Sequence, residues 1–437
     1  MKMLRALSAT TLLCAALALS AQAADLMQVY EHAQQEDAEL RAAEAQYRAV
    51  LETRPLARSA LLPQVSAEAE LGAFYSDPDG SRSVDGSRRD LGLNLNQILL
   101  DRRNTIGLRQ ADLQIERAAA ELDAARQDLI LRVAEAYFGE LVAKETLEFR
   151  RAEREAIARQ LEQTQRRFEV GLIAITDVKE AQAQFDIAGA EEIAAENALN
   201  LAREQLAVIT NRYYDRLAAL GETLDMVDPE PRDPQQWVEA ALETNQELRA
   251  QRLGTETARE QIARQRAEGL PTLGLGATVR DIGFSGTGAN PQFTDRTEAN
   301  LGLRLNIPVY TGGRVSALTR EAREEFEAAQ EGLVFTERLT VQNTRSSYLS
   351  VIANASRARA LAQALQSTQA AFESAQAGFE VGTRTQVDVL LTLREVFRAE
   401  RDYAEARYGY LLDTLRLQRA VGTLSVADLQ RINRVLE

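Results

Sequence analysis

The sequence predicts an α+β fold in which the second half of the chain repeats the first, each half carrying a β-hairpin and long paired helices. Three observations predict it. Phe-Glu-Val-Gly occurs at 168–171 and again at 379–382, and Asp-Val follows both copies at the same distance. Short stretches alternate between apolar and polar residues with the period of a half-buried strand. Long stretches of helix-forming residues contain no proline, and the repeated glycines predict bends between them.

The first 23 residues are predicted to be an export signal. Lys2 and Arg5 give a basic start, residues 12–19 are apolar, and Ala21-Gln22-Ala23 has the small residues of a cleavage site. Cys14, the only cysteine, lies in this segment after Leu13, which does not fit a bacterial lipid-attachment site. The mature chain is therefore expected to have no lipid anchor, disulfide or cysteine-based metal site.

Residues 24–227 form the first predicted structural repeat. Pro63 ends its first helix, and a loop rich in Asp, Pro and Gly joins its two strands into a hairpin. Apolar residues at three- and four-residue steps predict that the long helices pack side by side. The predicted elements are a helix over 26–59, strands over 64–73 and 90–96, and helices over 101–167 and 176–220.

Residues 235–424 form the second predicted repeat, after a proline-rich linker at 228–234. Pro271 ends its first helix as Pro63 ends the first helix of the other repeat. A tail at 425–437 completes the chain. The predicted elements are a helix over 235–268, strands over 273–280 and 300–306, and helices over 314–377 and 385–421.

The composition argues against several classes of function. The net charge is −14 and no basic patch occurs, so nucleic acid is not an expected partner. His32 is the only histidine, which disfavours histidine-based catalysis and metal sites. No phosphate-binding glycine loop is present, and the many carboxylates have the spacing of solvated helix faces. The chain is therefore predicted not to be an enzyme and to need no cofactor or metal.

The strands predict a membrane-embedded assembly of three chains. No apolar stretch after the signal reaches the ~20 residues of a transmembrane helix, while each strand has roughly the length that crosses an outer-membrane-type bilayer. Four strands cannot close on themselves, and lipid does not tolerate open sheet edges. Three chains supply twelve strands, within the size range of membrane barrels. The alternative is a periplasmic coiled-coil scaffold or adaptor whose hairpins form no membrane barrel.

Seven segments, in order along the chain, match a known family: 26–30, 59–64, 171–178, 382–385, 387–390, 406–408 and 422–424. With them the chain resembles the TolC family, the outer membrane efflux proteins that serve efflux pumps and type I secretion. The resemblance implies a homotrimer with a 12-stranded β-barrel in outer-membrane lipid, continued into the periplasm by a long α-helical coiled-coil barrel. An equatorial belt would form around residues 213–240 and the tail. A periplasmic membrane-fusion adaptor and an inner-membrane transporter of the RND, ABC or MFS type would be its partners.

The same resemblance implies a gate at the bends. Arg384 would bond to Thr176 and Asp177 of the other hairpin, with Gln160 in the same set. Asp388 would face the pore axis, so that three copies make an acidic ring that favours cations. From the residues alone, a helix-capping aspartate or a partner of Arg384 four residues earlier is the favoured interpretation of Asp388.

Two positions depart from the family pattern at this gate. Leu391 stands where a second acidic ring is expected, and Phe379 replaces a tyrosine whose hydroxyl would bond Asp177. The resemblance also implies that the bends dock an adaptor hairpin tip to tip. Its docking residues would be Gly171, Leu172, Gly382 and Thr383, although a purely structural use of each glycine is the alternative.

Overall fold

The computed structural model describes residues 23–76, 83–221, 224–286 and 293–436. The predicted export signal, apart from Ala23, lies outside these residues, as do the middles of both predicted strand-connecting loops. The predicted α+β composition, with four strands and long paired helices, is confirmed.

The first half of the chain carries five helices and two strands among the described residues. The long predicted helices are present, but the helix predicted over 26–59 is three shorter ones. Their bounds are α1 Leu26–Glu36, α2 Ala38–Leu51, α3 Thr53–Ser59, β1 Gln64–Ser76, β2 Val84–Leu100, α4 Arg102–Glu169 and α5 Ile175–Thr210.

The second half repeats this order and adds a short helix in the tail that the sequence pattern did not predict. The helix predicted over 235–268 is two helices. The bounds are α6 Pro234–Thr244, α7 Gln246–Ala267, β3 Thr272–Ser285, β4 Arg296–Asn306, α8 Arg314–Glu380, α9 Gln386–Val421 and α10 Val426–Asn433.

Three of the departures from the predicted helices lie at single polar residues. Asp37 has extended backbone between α1 and α2, and its Oδ1 accepts a hydrogen bond from the Leu40 amide at 2.7 Å. Asn245 separates α6 from α7 in the same extended conformation. Asn211 ends α5 with φ of 54°, a left-handed conformation that asparagine tolerates, so this helix stops short of residue 220.

The four strands form one antiparallel sheet in the order β1-β2-β3-β4. All four are longer than predicted or begin earlier, and the pairing of Val65 with Leu95 and of Leu95 with Ala277 keeps apolar residues on one face. This face is not covered within the chain, since Leu71 and Leu301 are 82% and 76% exposed. The other face carries mostly polar residues and glycine.

The chain divides into two compact units. The first comprises the described residues up to 43, then 123–246 and those from 337 onward; the second comprises 44–122 and 247–336 and contains the sheet. At the centre of the first unit, Phe138 lies between Tyr137 and Tyr408, with both ring pairs 5.6 Å apart.

The tail of the chain belongs to the first unit. The Leu26 amide donates to Asn433 Oδ1 at 3.0 Å, and the Gly221 amide donates to the Val435 carbonyl at 3.2 Å. These contacts join α10 to α1 and to the segment after α5.

None of the helices in the part of the chain that the structure describes is long and apolar enough to cross a membrane.

Candidate gate at the helix bends

Each repeated Phe-Glu-Val-Gly sequence ends a long helix with the same hydrogen-bonded turn. At the first bend, the Gly171 amide donates to the Phe168 carbonyl at 2.8 Å and the Leu172 amide to the Arg167 carbonyl at 2.9 Å. At the second, Gly382 and Thr383 make the equivalent bonds, at 3.1 and 2.8 Å. This is a Schellman turn, which requires a left-handed residue after the helix. The two glycines provide it with φ of 78° and 80°.

Apolar side chains at both bends face solvent. Val170, Leu172 and Val381 are 70%, 73% and 75% exposed. A Cβ added at Gly171 or Gly382 would touch nothing within 4 Å, so the glycine surface itself is open. Scattered exposed leucines and valines are ordinary, but here they crowd the turns of two adjacent hairpins. The bends therefore present a small exposed apolar surface.

The helices that leave the two bends begin differently. Thr385 is the N-cap of α9, and the Asp388 carboxylate accepts from both its amide and its hydroxyl at 2.9 Å. Ala174 precedes α5 and has no hydroxyl, so Asp177 accepts only from its amide, at 3.3 Å. The second bend is therefore the more firmly capped of the two.

Asp388 remains accessible although it caps its helix. Hydrogen bonds donated by the Thr385 backbone amide and hydroxyl hold the pKa of the Asp388 carboxyl below its ordinary value. The carboxylate is thus charged at neutral pH. Asp388 can cap its helix and also face the predicted pore axis, because the capping hydrogen bonds leave part of its carboxylate exposed to solvent. Leu391, on the same helix, is 51% exposed and carries no charge.

Two features join the bends within one chain. The Arg167 guanidinium lies over the Phe379 ring, 4.4 Å from its centroid, and so links α4 to α8. Such a cation–π contact contributes ~0.5–1 kcal/mol at an exposed site. Leu390 of α9 belongs to a buried cluster with Ile157, Leu161 and Ala181 of the first hairpin.

Further along the same helices, a buried carboxylate joins three helices. The Glu153 side chain is 3% exposed and pairs with Arg150 at 2.7 Å and with Arg394 of α9 at 3.5 Å. Arg394 also donates to Gln184 of α5 at 2.8 Å. Because a charge buried this deeply needs its partners, this cluster fixes α9 against the first hairpin.

The predicted gate residues lie at the bends but are not bonded to one another as expected. Among the described residues, no hydrogen bond or ion pair joins Arg384 to Thr176 or Asp177 within the chain. Arg384 and Thr176 are exposed, and Asp177 is half-buried. The backbone carbonyl of Gln160 accepts from the Thr164 hydroxyl at 2.7 Å.

Sequence reasoning missed three features of this site. Arg167 precedes the repeated sequence, and only the folded chain brings it to Phe379. Gly378 leaves room for the Arg384 side chain, since a Cβ there would lie 2.8 Å from Arg384 Cγ. The Glu153–Arg394 pair joins residues from opposite repeats, and no local pattern marks it.

Comparison with known proteins identifies the chain's relatives. The family model of the outer membrane efflux protein matches residues 29–212 and 237–423. The chain is 37% identical to the outer membrane protein TolC of Vibrio cholerae serotype O1 over 416 residues, covering 95% of this chain and 94% of that protein. It is 30% identical to the alkaline protease secretion protein AprF of Pseudomonas aeruginosa over 421 residues, covering 93% and 86%.

A solved structure shares the fold. The outer membrane protein VceC of Vibrio cholerae matches with a TM-score of 0.76 at 21% identity, over 91% of this chain and 96% of that one. Together with the sequence matches, which span both repeats, this shows that the chain belongs to the outer membrane efflux protein family.

Proposed function

We propose that the chain forms a trimeric exit duct in the outer membrane for drug efflux and type I protein secretion, with its helical part in the periplasm. The four-stranded sheet carries this proposal. Its apolar face is exposed, and β1 and β4 each leave one edge unpaired within the described sheet. Closing twelve strands from three chains would satisfy both edges in lipid. The names of the TolC and AprF relatives support an outer-membrane location and protein secretion respectively.

The exposed bends are the proposed docking surface for a periplasmic membrane-fusion adaptor. Gly171, Leu172, Gly382 and Thr383 lie in the two turns, and bare glycine lets a partner backbone approach closely. An inner-membrane transporter of the RND, ABC or MFS type would supply the energy.

The gate is proposed to close through contacts between chains. Arg384 is exposed, and within the described part of the chain no hydrogen bond or ion pair joins it to Thr176 or Asp177, so a link among them would be made with a neighbouring chain. Gln160 would join the same set. Individually modest hydrogen bonds and ion pairs suit a gate, because several together hold it shut while each can be released.

Asp388 is proposed to form one acidic ring in the trimer. Leu391 supplies no second ring, so we expect weaker block by polyvalent cations than in a channel with two rings. Block of single-channel current by a trivalent cation tests the single acidic ring. The Asp388→Asn variant should lose this block. Block as tight as that of a two-ring channel would contradict the proposal.

Drug export tests the docking surface. Cells lacking the chromosomal copy would carry the wild type, Gly171→Trp, Gly382→Trp, or the control Glu155→Trp on the exposed side of α4. We expect both glycine variants to form trimers but lose export, and the control to export normally. Normal export by both glycine variants would remove the docking claim.

The alternative of a periplasmic scaffold or adaptor is not favoured, because the family match covers both repeats of an efflux protein. Such a scaffold would be recovered from the periplasm without detergent.

A further inference from the structure

Three phenylalanines interrupt the polar face of the sheet near its strand-connecting loops. The Phe74 ring stacks on Phe293 at 4.8 Å between centroids, and Phe284 meets both rings edge-on at 6.1 and 5.6 Å. We call Phe74, Phe284 and Phe293 the aromatic cluster. All three lie in the second unit, and each is half-buried in one chain.

Strand register assigns Phe74 and Phe284 to the polar face, and Phe293 stacks on Phe74 there. Phe74 pairs with Gly86, and Phe284 pairs with Arg88 on the same strand, two residues on. Because side chains alternate along a strand, Phe74 and Phe284 share the face of Arg88. Gly86 has no side chain, which leaves room for the two rings to meet above β2.

The cluster lies toward the loops from a charged pair on the apolar face. On the apolar face, Arg89 pairs with Asp281 at 3.1 Å, and the Thr297 hydroxyl donates to Asp281 at 3.1 Å. Charged side chains are costly at the centre of a bilayer and are tolerated near its interface. This ion pair therefore marks the border of the lipid-facing band, and Phe74 and Phe284 lie at that level or nearer the loops.

A charged layer adjoins the cluster on the polar face. Asp90, whose side chain is 8% exposed, pairs with Arg88 at 2.5 Å and with Arg280 at 3.3 Å. A surface that only lines water is not expected to carry three apolar rings beside such a charged layer. Apolar side chains at a narrow point restrict passage because water leaves the constriction readily.

We propose that three copies of the aromatic cluster, one from each chain, form an apolar constriction at the loop end of the duct. This rests on the proposed function, since it requires the polar face to line a water-filled passage. The constriction would slow entry of large hydrophilic solutes from outside and would be separate from the gate at the helix bends.

Thiol labelling tests the constriction directly. In a Cys14→Ser background, Glu70→Cys places a thiol on the same polar face as Phe74, about 13 Å further from the loops at ~3.3 Å per residue. Small and large hydrophilic maleimides are added outside intact cells. We expect slow labelling by the large reagent, and a roughly tenfold faster rate when all three phenylalanines become serine, equivalent to ~1.4 kcal/mol of barrier.

Two controls separate the possible causes. Changing the three phenylalanines to leucine keeps an apolar constriction and should keep labelling slow. A thiol at Ser83→Cys, on the loop side of the cluster, should react quickly in every background. Trimer content and melting temperature show that each variant folds.

Three outcomes would overturn the inference. Equal labelling rates with phenylalanine and with serine would show that the cluster does not restrict passage. Fast labelling with leucine would show that ring stacking, rather than apolar character, controls access. If the small reagent fails to reach Glu70→Cys even with serine, the polar face lines no open passage and the proposed duct itself fails.

Discussion

Gly382 ends its helix in a backbone conformation that glycine adopts without strain. Its φ is 80°, and an added Cβ would meet no neighbour. The cost of adding a Cβ is therefore that of the backbone alone, ~1–2 kcal/mol for an ordinary residue in the left-handed region. At this turn the steric cost and the backbone cost of a substitution can be measured separately, which is uncommon.

We predict that Gly382→Val destabilises the second bend by ~1–2 kcal/mol. Gly382→Asn should cost clearly less, because asparagine tolerates positive φ. Hydrogen exchange of the amides around the bend measures local opening. Equal exchange in the two variants would show that the backbone conformation does not govern this turn.

The Asp388 carboxyl gives a second prediction at this scale, in pH dependence. Its pKa is lowered, so its negative charge persists above the folded pKa and is lost as the pH falls through it. Thr385→Val removes the hydroxyl that donates to the carboxylate and should raise this pKa. Cation block should then disappear at a higher pH on acidification than in the wild type.

The matched control is Thr392→Val, whose hydroxyl donates to the Asp388 backbone carbonyl rather than to the carboxylate. It should leave the midpoint of block unchanged. An unchanged or lower midpoint in Thr385→Val would contradict the capping account.

At the scale of the elements, α9 is fixed to the first hairpin by the buried Glu153–Arg394 pair and by Leu390. Removing Arg394 would leave a carboxylate that is 3% exposed with Arg150 as its remaining partner. Breaking a buried pair ordinarily costs ~3–5 kcal/mol. The partner that remains lowers the cost here.

We predict that Arg394→Leu destabilises the folded trimer by about 1–3 kcal/mol. Arg398→Leu is the control, because Arg398 is 58% exposed and pairs with an exposed glutamate on its own helix. The stability lost in Arg398→Leu should be below about 1 kcal/mol. Denaturant unfolding compares the variants, and equal losses would mean that burial of Glu153 does not matter.

Much of the element order could be predicted from the sequence. Prolines 63 and 271 end helices, period-two alternation marks four strands, and the repeated glycines mark both bends. The breaks at Asp37, Asn211 and Asn245 were missed because a polar residue inside a helical pattern is compatible with either outcome. The contact of Arg167 with Phe379 was missed because it depends on how two distant hairpins pack.

At the scale of the whole molecule, the two bends have the same turn but different polar residues. The first bend carries Thr176 and Asp177 after a weakly capped start, and the second carries Arg384 and the well-capped Asp388. Among the residues that the structure describes, no hydrogen bond or ion pair joins Arg384 to Thr176 or Asp177. The sequence resemblance implies such a link, and we predict that it forms between chains in the assembled trimer.

Planar-bilayer recording of the detergent-extracted protein shows whether three chains form a conducting duct. We predict trimers that dissociate on heating and that conduct ions when inserted in a bilayer, with current blocked by a trivalent cation in the wild type and not in Asp388→Asn. A protein that is recovered without detergent, or a trimer that inserts without conducting, would contradict the account.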